Sequence, residues 1–285
     1  LIRGEQMLLK RILTAVVGIP IAMLVIYKGG ALLFAAVLAL ALIAAREYYY
    51  AALQRGIHPN VPLGYLGVLL LVLLAWLVPA DGFEVAQLLV VAGMVMAALA
   101  FWGLSGQTVG AIANGGATIA GAFYAGLFAY LMSMRYVVQA DFFLGGSKRT
   151  VDAGFGYLLL LLAVTWLADT AAYAVGRQWG STRLAPRVSP GKTVEGAVAG
   201  LGMGTIAGLL LGPQLGLSAW HGLALGLIAG VLGQVGGLAA SAGKRDAGIK
   251  DFPLLFPGHG GVLDRFDALL FNAPAFYFYL KYVVW

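Results

Sequence analysis

The chain has 285 residues, 61% of them hydrophobic and only 11% charged, and a formal net charge of +6. Soluble domains carry about 25% charged residues, so this composition belongs to an integral membrane protein, whose length divides into spans of ~20 apolar residues. Cysteine is absent and the three histidines, His58, His221 and His259, lie far apart; disulfides, thiol catalysis and cysteine-ligated zinc are excluded, no zinc-ligand spacing is present, and there is no basic, aromatic-interleaved domain to bind nucleic acid.

Nine apolar segments follow in chain order, at 13–27, 31–45, 64–78, 86–102, 111–133, 157–175, 194–211, 217–238 and 266–284. They predict an all-α, polytopic membrane protein of about nine transmembrane helices. The six residues before Met7 read as a leader, and 13–27 as a retained span. Alternating spans from a cytoplasmic N-terminus puts 13 of the 18 Lys and Arg residues on the cytoplasmic side and 5 on the other, the direction of the positive-inside bias. The exception is the basic 134–156 stretch, which falls on the far side. Residues 1–133 read as N-terminal packing helices. The small residues of "GAIANGGATIAGAFYAG" (110–126) let backbones approach closely, either within the monomer or across a homodimer. Residues 134–285 read as the catalytic region, with cytoplasmic loops at 176–193 and 241–265.

Those two loops share a face and hold most of the polar chemistry. "SAGKRDAGIKD" supplies Lys244, Arg245 and Lys250, and "RLAPRVSPGKTVEG" supplies Arg187, Ser189, Lys192 and Thr193 just before a span. Lysine, arginine, hydroxyls and a helix start suit phosphate; attraction to anionic lipid explains the cations alone, but not the acids among them. Asp264 and Asp267 stand three apart at the start of the last span and share a helix face. Two such carboxylates suit a hard divalent cation bridging to phosphate, or simply a helix N-terminus. Asp169 lies inside an apolar segment, where a carboxylate is costly and marks function or a buried pair. Gly260 and Gly261 of "PGHGG" form a turn that lets phosphate reach backbone amides, and His259 reads as a phosphate ligand, an acid, or a turn residue. Together these residues predict a metal–polyphosphate site beside the membrane surface, and phosphoryl or nucleotidyl transfer onto a lipid.

The stretch "SAGKRDAGIKD…PGHGGVLDRFD", with "ADTAAYAVGRQWGSTRLAPRVSPGKTVEG" upstream, resembles the signature of the phosphatidate cytidylyltransferases (CDP-diacylglycerol synthases). The resemblance implies transfer of a cytidylyl group from CTP to phosphatidic acid, with Mg²⁺ and room for a second cation, in a bacterial inner membrane with the site facing the cytoplasm. It implies Asp264 and Asp267 as metal ligands, and phosphate contacts from Lys244, Arg245, Lys250, Ser189 and Lys192. Ser241, Asp251, Gly260 and Gly261 belong to the same substrate-binding set, with Asp169 supporting it. The chain departs from the family pattern G-D-L-x-E-S, reading "GGLAAS" at 236–241, so that Gly237 replaces an acid assigned to the metal and Ala240 replaces a glutamate. Asp169, Asp246 or Asp251 substitutes for it, or the chain is a weak or inactive member. The other enzymatic reading is a CTP-dependent kinase of polyprenol type. A transporter would show repeated halves and broken mid-membrane helices, which the sequence lacks.

Overall fold

The structure is a computed structural model that describes residues 18–137, 141–143, 150–253 and 260–285. His259 and the first residues of the 13–27 segment lie outside the described residues. Helices dominate: α1 (Gly18–Lys28), α2 (Gly30–Gln54), α3 (Val61–Leu77), α4 (Ala80–Ser105), α5 (Ala111–Gly126), α6 (Ala129–Arg135), α7 (Ala153–Trp179), α8 (Val194–Leu211), α9 (Ala219–Asp246) and α10 (Leu263–Tyr279). Among the described residues each predicted segment falls on a helix, with 111–133 shared by α5 and α6. Six helical stretches among the described residues are long and apolar enough to cross a bilayer, α5 and α6 together (Ala111–Arg135) making one of them, with α1 and α3 as shorter apolar helices. The protein is a helical membrane protein.

Side chains punctuate these helices where the sequence places cap residues. Asn60, Asp152, Thr193 and Ser218 accept the amides of Leu63, Phe155, Gly196 and His221, satisfying donors that a helix start leaves free. The α5–α6 break falls at Leu127–Phe128, where Phe128 N–H bonds to Ala125 O, a tighter three-residue step. Two antiparallel ribbons, β1 (Asp141–Phe143) with β2 (Thr150–Asp152) and β3 (Arg183–Ala185) with β4 (Ser189–Thr193), are additions to the all-helical expectation. Both lie in stretches expected to be loops.

Contacts between helix ends fit alternating spans. Arg135 donates through Nε to Ile26 O at 3.1 Å and pairs through Nη1 with Asp152, and Lys281 bonds Glu84 at 2.7 Å. At the opposite ends, Arg55 pairs with Asp246. Aromatic side chains fill the core between the two halves: Tyr49, Phe83, Phe128, Tyr157, Phe276 and Tyr277 are fully buried. On α4, Leu88, Leu89, Met96, Leu99 and Leu104 are exposed, the surface that acyl chains cover in a bilayer.

The helices that carry the polar loops pack closest. A Cβ on Gly226 of α9 would stand 2.7 Å from Thr205 Cα of α8, and one on Gly208 would stand 2.8 Å from Gly226 Cα. A Cβ on Gly236 would strike the carbonyl of Asp267, which joins α9 to α10 at the level of the acidic pair. Small residues at these crossings bring backbones together, the way helices associate where no hydrophobic force separates lipid from protein.

Candidate active site

Four elements converge on one polar cluster: α7 brings Asp169, β4 brings Lys192, α9 brings Ser241 and Lys244, and α10 brings Asp264 and Asp267. On α9, Gly237, Ser241 and Lys244 fall at i, i+4 and i+7, one helix face. Ser241 Oγ donates back to Gly237 O at 2.7 Å. On α10 the acids stand one turn apart, but their surroundings differ.

Asp264 is fully engaged by the protein. Oδ1 pairs with Lys244 Nζ at 2.5 Å, and both side chains are only 13% exposed. Oδ2 accepts the amides of Phe252 at 2.9 Å and Gly261 at 3.2 Å. A buried carboxylate needs such donors to offset lost hydration. Asp264 thus ties together the end of α9, the 247–253 strip and the turn before α10.

Asp267 is less occupied. Its Oδ1 accepts the neighbouring Ala268 amide at 2.8 Å. Lys192 lies within its electrostatic reach and within that of Asp169. Burial holds the Lys192 ammonium below the usual lysine range; Asp267 and Asp169 oppose that shift, and Lys244 adds to it. The glycine at 237 faces this group. A Cβ there would run into Lys192 Nζ and come within 3.5 Å of Asp267 Oδ2. The side chain missing at Gly237 is therefore missing from the cluster itself, and a lysine ammonium fills its place.

The other predicted residues within the described chain differ in exposure. Arg187, Arg245, Lys250 and Asp251 are exposed, Ser189 is half-buried, and Asp169 is exposed although it sits on an apolar helix. Arg245 donates to Ile249 O at 3.4 Å. Thr193 is 4% exposed, and its hydroxyl caps α8 by accepting Gly196 N–H. Gly260 has φ +72°, the left-handed region that favours glycine, and the Gly261 amide is taken by Asp264. Sequence reasoning missed Glu47 of α2, which accepts the amides of Val262 and Leu263 at the start of α10.

The donor chemistry suits a hard divalent cation. Among the described residues no three His, Asp or Glu side chains form a ready-made cage. Two oxygen-only groups, Asp169 and Asp267, instead share a place already balanced by a protein cation, Lys192, whose flexible end occupies the space beside Gly237. These residues fit a Mg²⁺ ion that arrives with its own phosphate ligands, the usual habit of that ion.

Comparison with known proteins agrees in extent. Residues 9–283 match the model of the cytidylyltransferase family. The chain is 32% identical to a phosphatidate cytidylyltransferase of Synechocystis sp., over 95% of this chain and 96% of that one. It is 32% identical to one of Staphylococcus epidermidis, over 93% and 95%. It is also 40% identical to the uncharacterized protein YnbB of Escherichia coli, over 54% of this chain and 52% of that one. The match spans both the helical first half and the polar cluster, and the chain belongs to the phosphatidate cytidylyltransferase family.

Proposed function

We infer that the protein transfers the cytidylyl group of CTP to phosphatidate, giving CDP-diacylglycerol and pyrophosphate. The observation that carries this reading is the convergence of Asp169, Lys192, Lys244, Asp264 and Asp267, from four elements, in a chain that matches the family from residue 9 to 283. In the reaction a phosphate oxygen of phosphatidate attacks the α-phosphorus of CTP. The bond from that phosphorus to the oxygen bridging to the β-phosphate breaks, and pyrophosphate leaves with that oxygen. No covalent enzyme intermediate is needed, because positioning and neutralisation of charge carry such transfers.

The residues divide by what already holds them. Lys192 stands at the centre and places one positive charge against the incoming phosphates. The exposed Arg187, Arg245 and Lys250 extend this field to the nucleotide and the lipid headgroup. Lys244 and Asp264 keep the ends of α9 and α10 together, and Lys244 turns to phosphate only as far as Asp264 releases it. Asp267, with Asp169 beside it, would hold the Mg²⁺. When bound, that ion neutralises charge on the triphosphate and on the departing pyrophosphate. The bias of 13 basic residues to 5 supports a cytoplasm-facing site in a bacterial inner membrane.

Gly237→Asp tests the replaced acid. The atom it displaces is the far end of the flexible Lys192 side chain, so the variant is expected to fold and to pair its new carboxylate with that ammonium. The Mg²⁺ concentration for half-maximal turnover is expected to fall about tenfold, equivalent to ~1.4 kcal/mol, with tighter Mn²⁺ binding by spin resonance. An unchanged metal requirement would separate Gly237 from the ion.

The function is tested in detergent–lipid micelles with phosphatidate, Mg²⁺ and CTP labelled on either the α- or the γ-phosphate. Label from the α-phosphate alone is expected in the lipid. Label from the γ-phosphate entering a polyprenol would instead establish a kinase.

A further inference from the structure

Glu47 is the only charged side chain among the described residues that is fully buried, at 1% exposure. It lies on α2 behind Ala41, Ala44 and Ala45, all buried, whose small side chains bring the helix close to its neighbours. A carboxylate in such a place is expensive unless donors satisfy it. Its donors are backbone amides more than 200 positions away. Val262 N–H bonds to Oε1 and Leu263 N–H to Oε2, both at 2.8 Å. Each oxygen takes one amide, so the carboxylate forms a fork on two successive residues.

Those residues open α10. The N-cap position of this helix, Val262, supplies no side-chain cap. A helix start leaves several amides unsatisfied and carries partial positive charge, and here a carboxylate from another helix answers both needs. The turn before α10 packs on the same group. A Cβ on Gly261 would fall 2.7 Å from Glu47 Oε2 and 2.6 Å from Phe252 Cβ. Residue 264 begins one position after the fork, and residue 267 one turn later. Because a helix turns 100° per residue, holding two amides fixes both the height and the rotation of that first turn. Asp264 then meets Lys244, and Asp267 stands beside Lys192.

We propose that Glu47 is a positioning residue for cytidylyl transfer: from the N-terminal half it fixes the start of α10, and so seats Asp264 against Lys244 and aims Asp267 at the substrates. This rests on the cytidylyltransferase reading above. It makes the first half of the chain part of the catalytic geometry, although Glu47 touches no reacting atom.

Glu47→Gln is nearly isosteric and keeps one acceptor, but its amide group faces an N–H where an oxygen stood. Turnover of the purified full chain in phosphatidate micelles is expected to fall about tenfold in kcat, as for one lost charge-assisted bond, with the KM for CTP within a factor of about two. Glu47→Ala, which removes both acceptors, is expected to fall about 100-fold. Hydrogen exchange is expected to rise in the 260–268 peptide and to stay unchanged across α8. A role in stability alone would lower the thermal midpoint and leave kcat per folded molecule as in the unaltered chain. That result, or unchanged exchange at 260–268 in Glu47→Gln, overturns the proposal. Glu47→Asp, which keeps the charge but is one methylene short, takes the place of Gln if that variant does not fold. No turnover by the unaltered chain overturns the cytidylyltransferase reading itself, and so is distinct from failure of the Glu47 proposal.

Discussion

Asp267→Asn is expected to lower kcat by about 100- to 1,000-fold, the range seen when a single group that stabilises transition-state charge is removed, while the thermal midpoint stays within a few degrees. The asparagine keeps an oxygen to accept the Ala268 amide, the one hydrogen bond that anchors Oδ1. What disappears is the negative charge that answers Lys192 and that would bind Mg²⁺. Folding and chemistry are therefore separable at this residue. Parallel measurement of kcat and thermal midpoint decides the matter. Turnover near that of the unaltered chain would remove Asp267 from the site, and a collapse of stability would make it structural.

Asp264→Ala is expected to behave differently although it lies only three residues away. Its carboxylate pairs with a largely buried lysine and accepts two backbone amides. Removing one partner of a buried pair costs about 3–5 kcal/mol, because the other charge is left without compensation, and two amides lose their acceptor as well. The variant is expected to unfold at markedly lower denaturant or temperature, and activity is expected to fall in step with the folded fraction. Asp264→Asn, which keeps an acceptor, is expected to recover part of the stability. Equal stabilities of Asp264→Ala and the unaltered chain would contradict the anchoring role.

This difference between the two acids marks where the sequence stopped being informative. Their i, i+3 spacing showed a shared face but not that Lys244 and the backbone already hold one of them. The apolar segments were plain, because a span must satisfy its backbone internally and so reads as a long oily run. The break at Leu127–Phe128 left no mark, since the residues on both sides are apolar. The β3–β4 ribbon was hidden for the opposite reason: "SPGKT" carries proline and glycine, which weaken a strand pattern, and it pairs only with β3. Gly237 was legible as a missing acid. That Lys192 occupies its place is a fact of three dimensions. Glu47 gave no signal at all, because its partners are backbone amides, and any residue but proline at 262 or 263 would supply those.

The arrangement around Gly237 also shapes how the cluster balances charge. Asp169, Asp264 and Asp267 bring three carboxylates, and Lys192 and Lys244 bring two ammonium groups. A site so nearly neutral would hold a divalent ion chiefly together with the phosphates that the ion already carries. CTP and Mg²⁺ are then expected to bind as one unit.

The central claim is that the chain, with Gly237 in place, is a working phosphatidate cytidylyltransferase. The most direct test is turnover of the unaltered protein in phosphatidate micelles with Mg²⁺ and α-labelled CTP, following lipid label and pyrophosphate together. Label in CDP-diacylglycerol matched one for one by pyrophosphate is the expected result. Label that enters the lipid only after Gly237→Asp, or not at all in either protein, would contradict it.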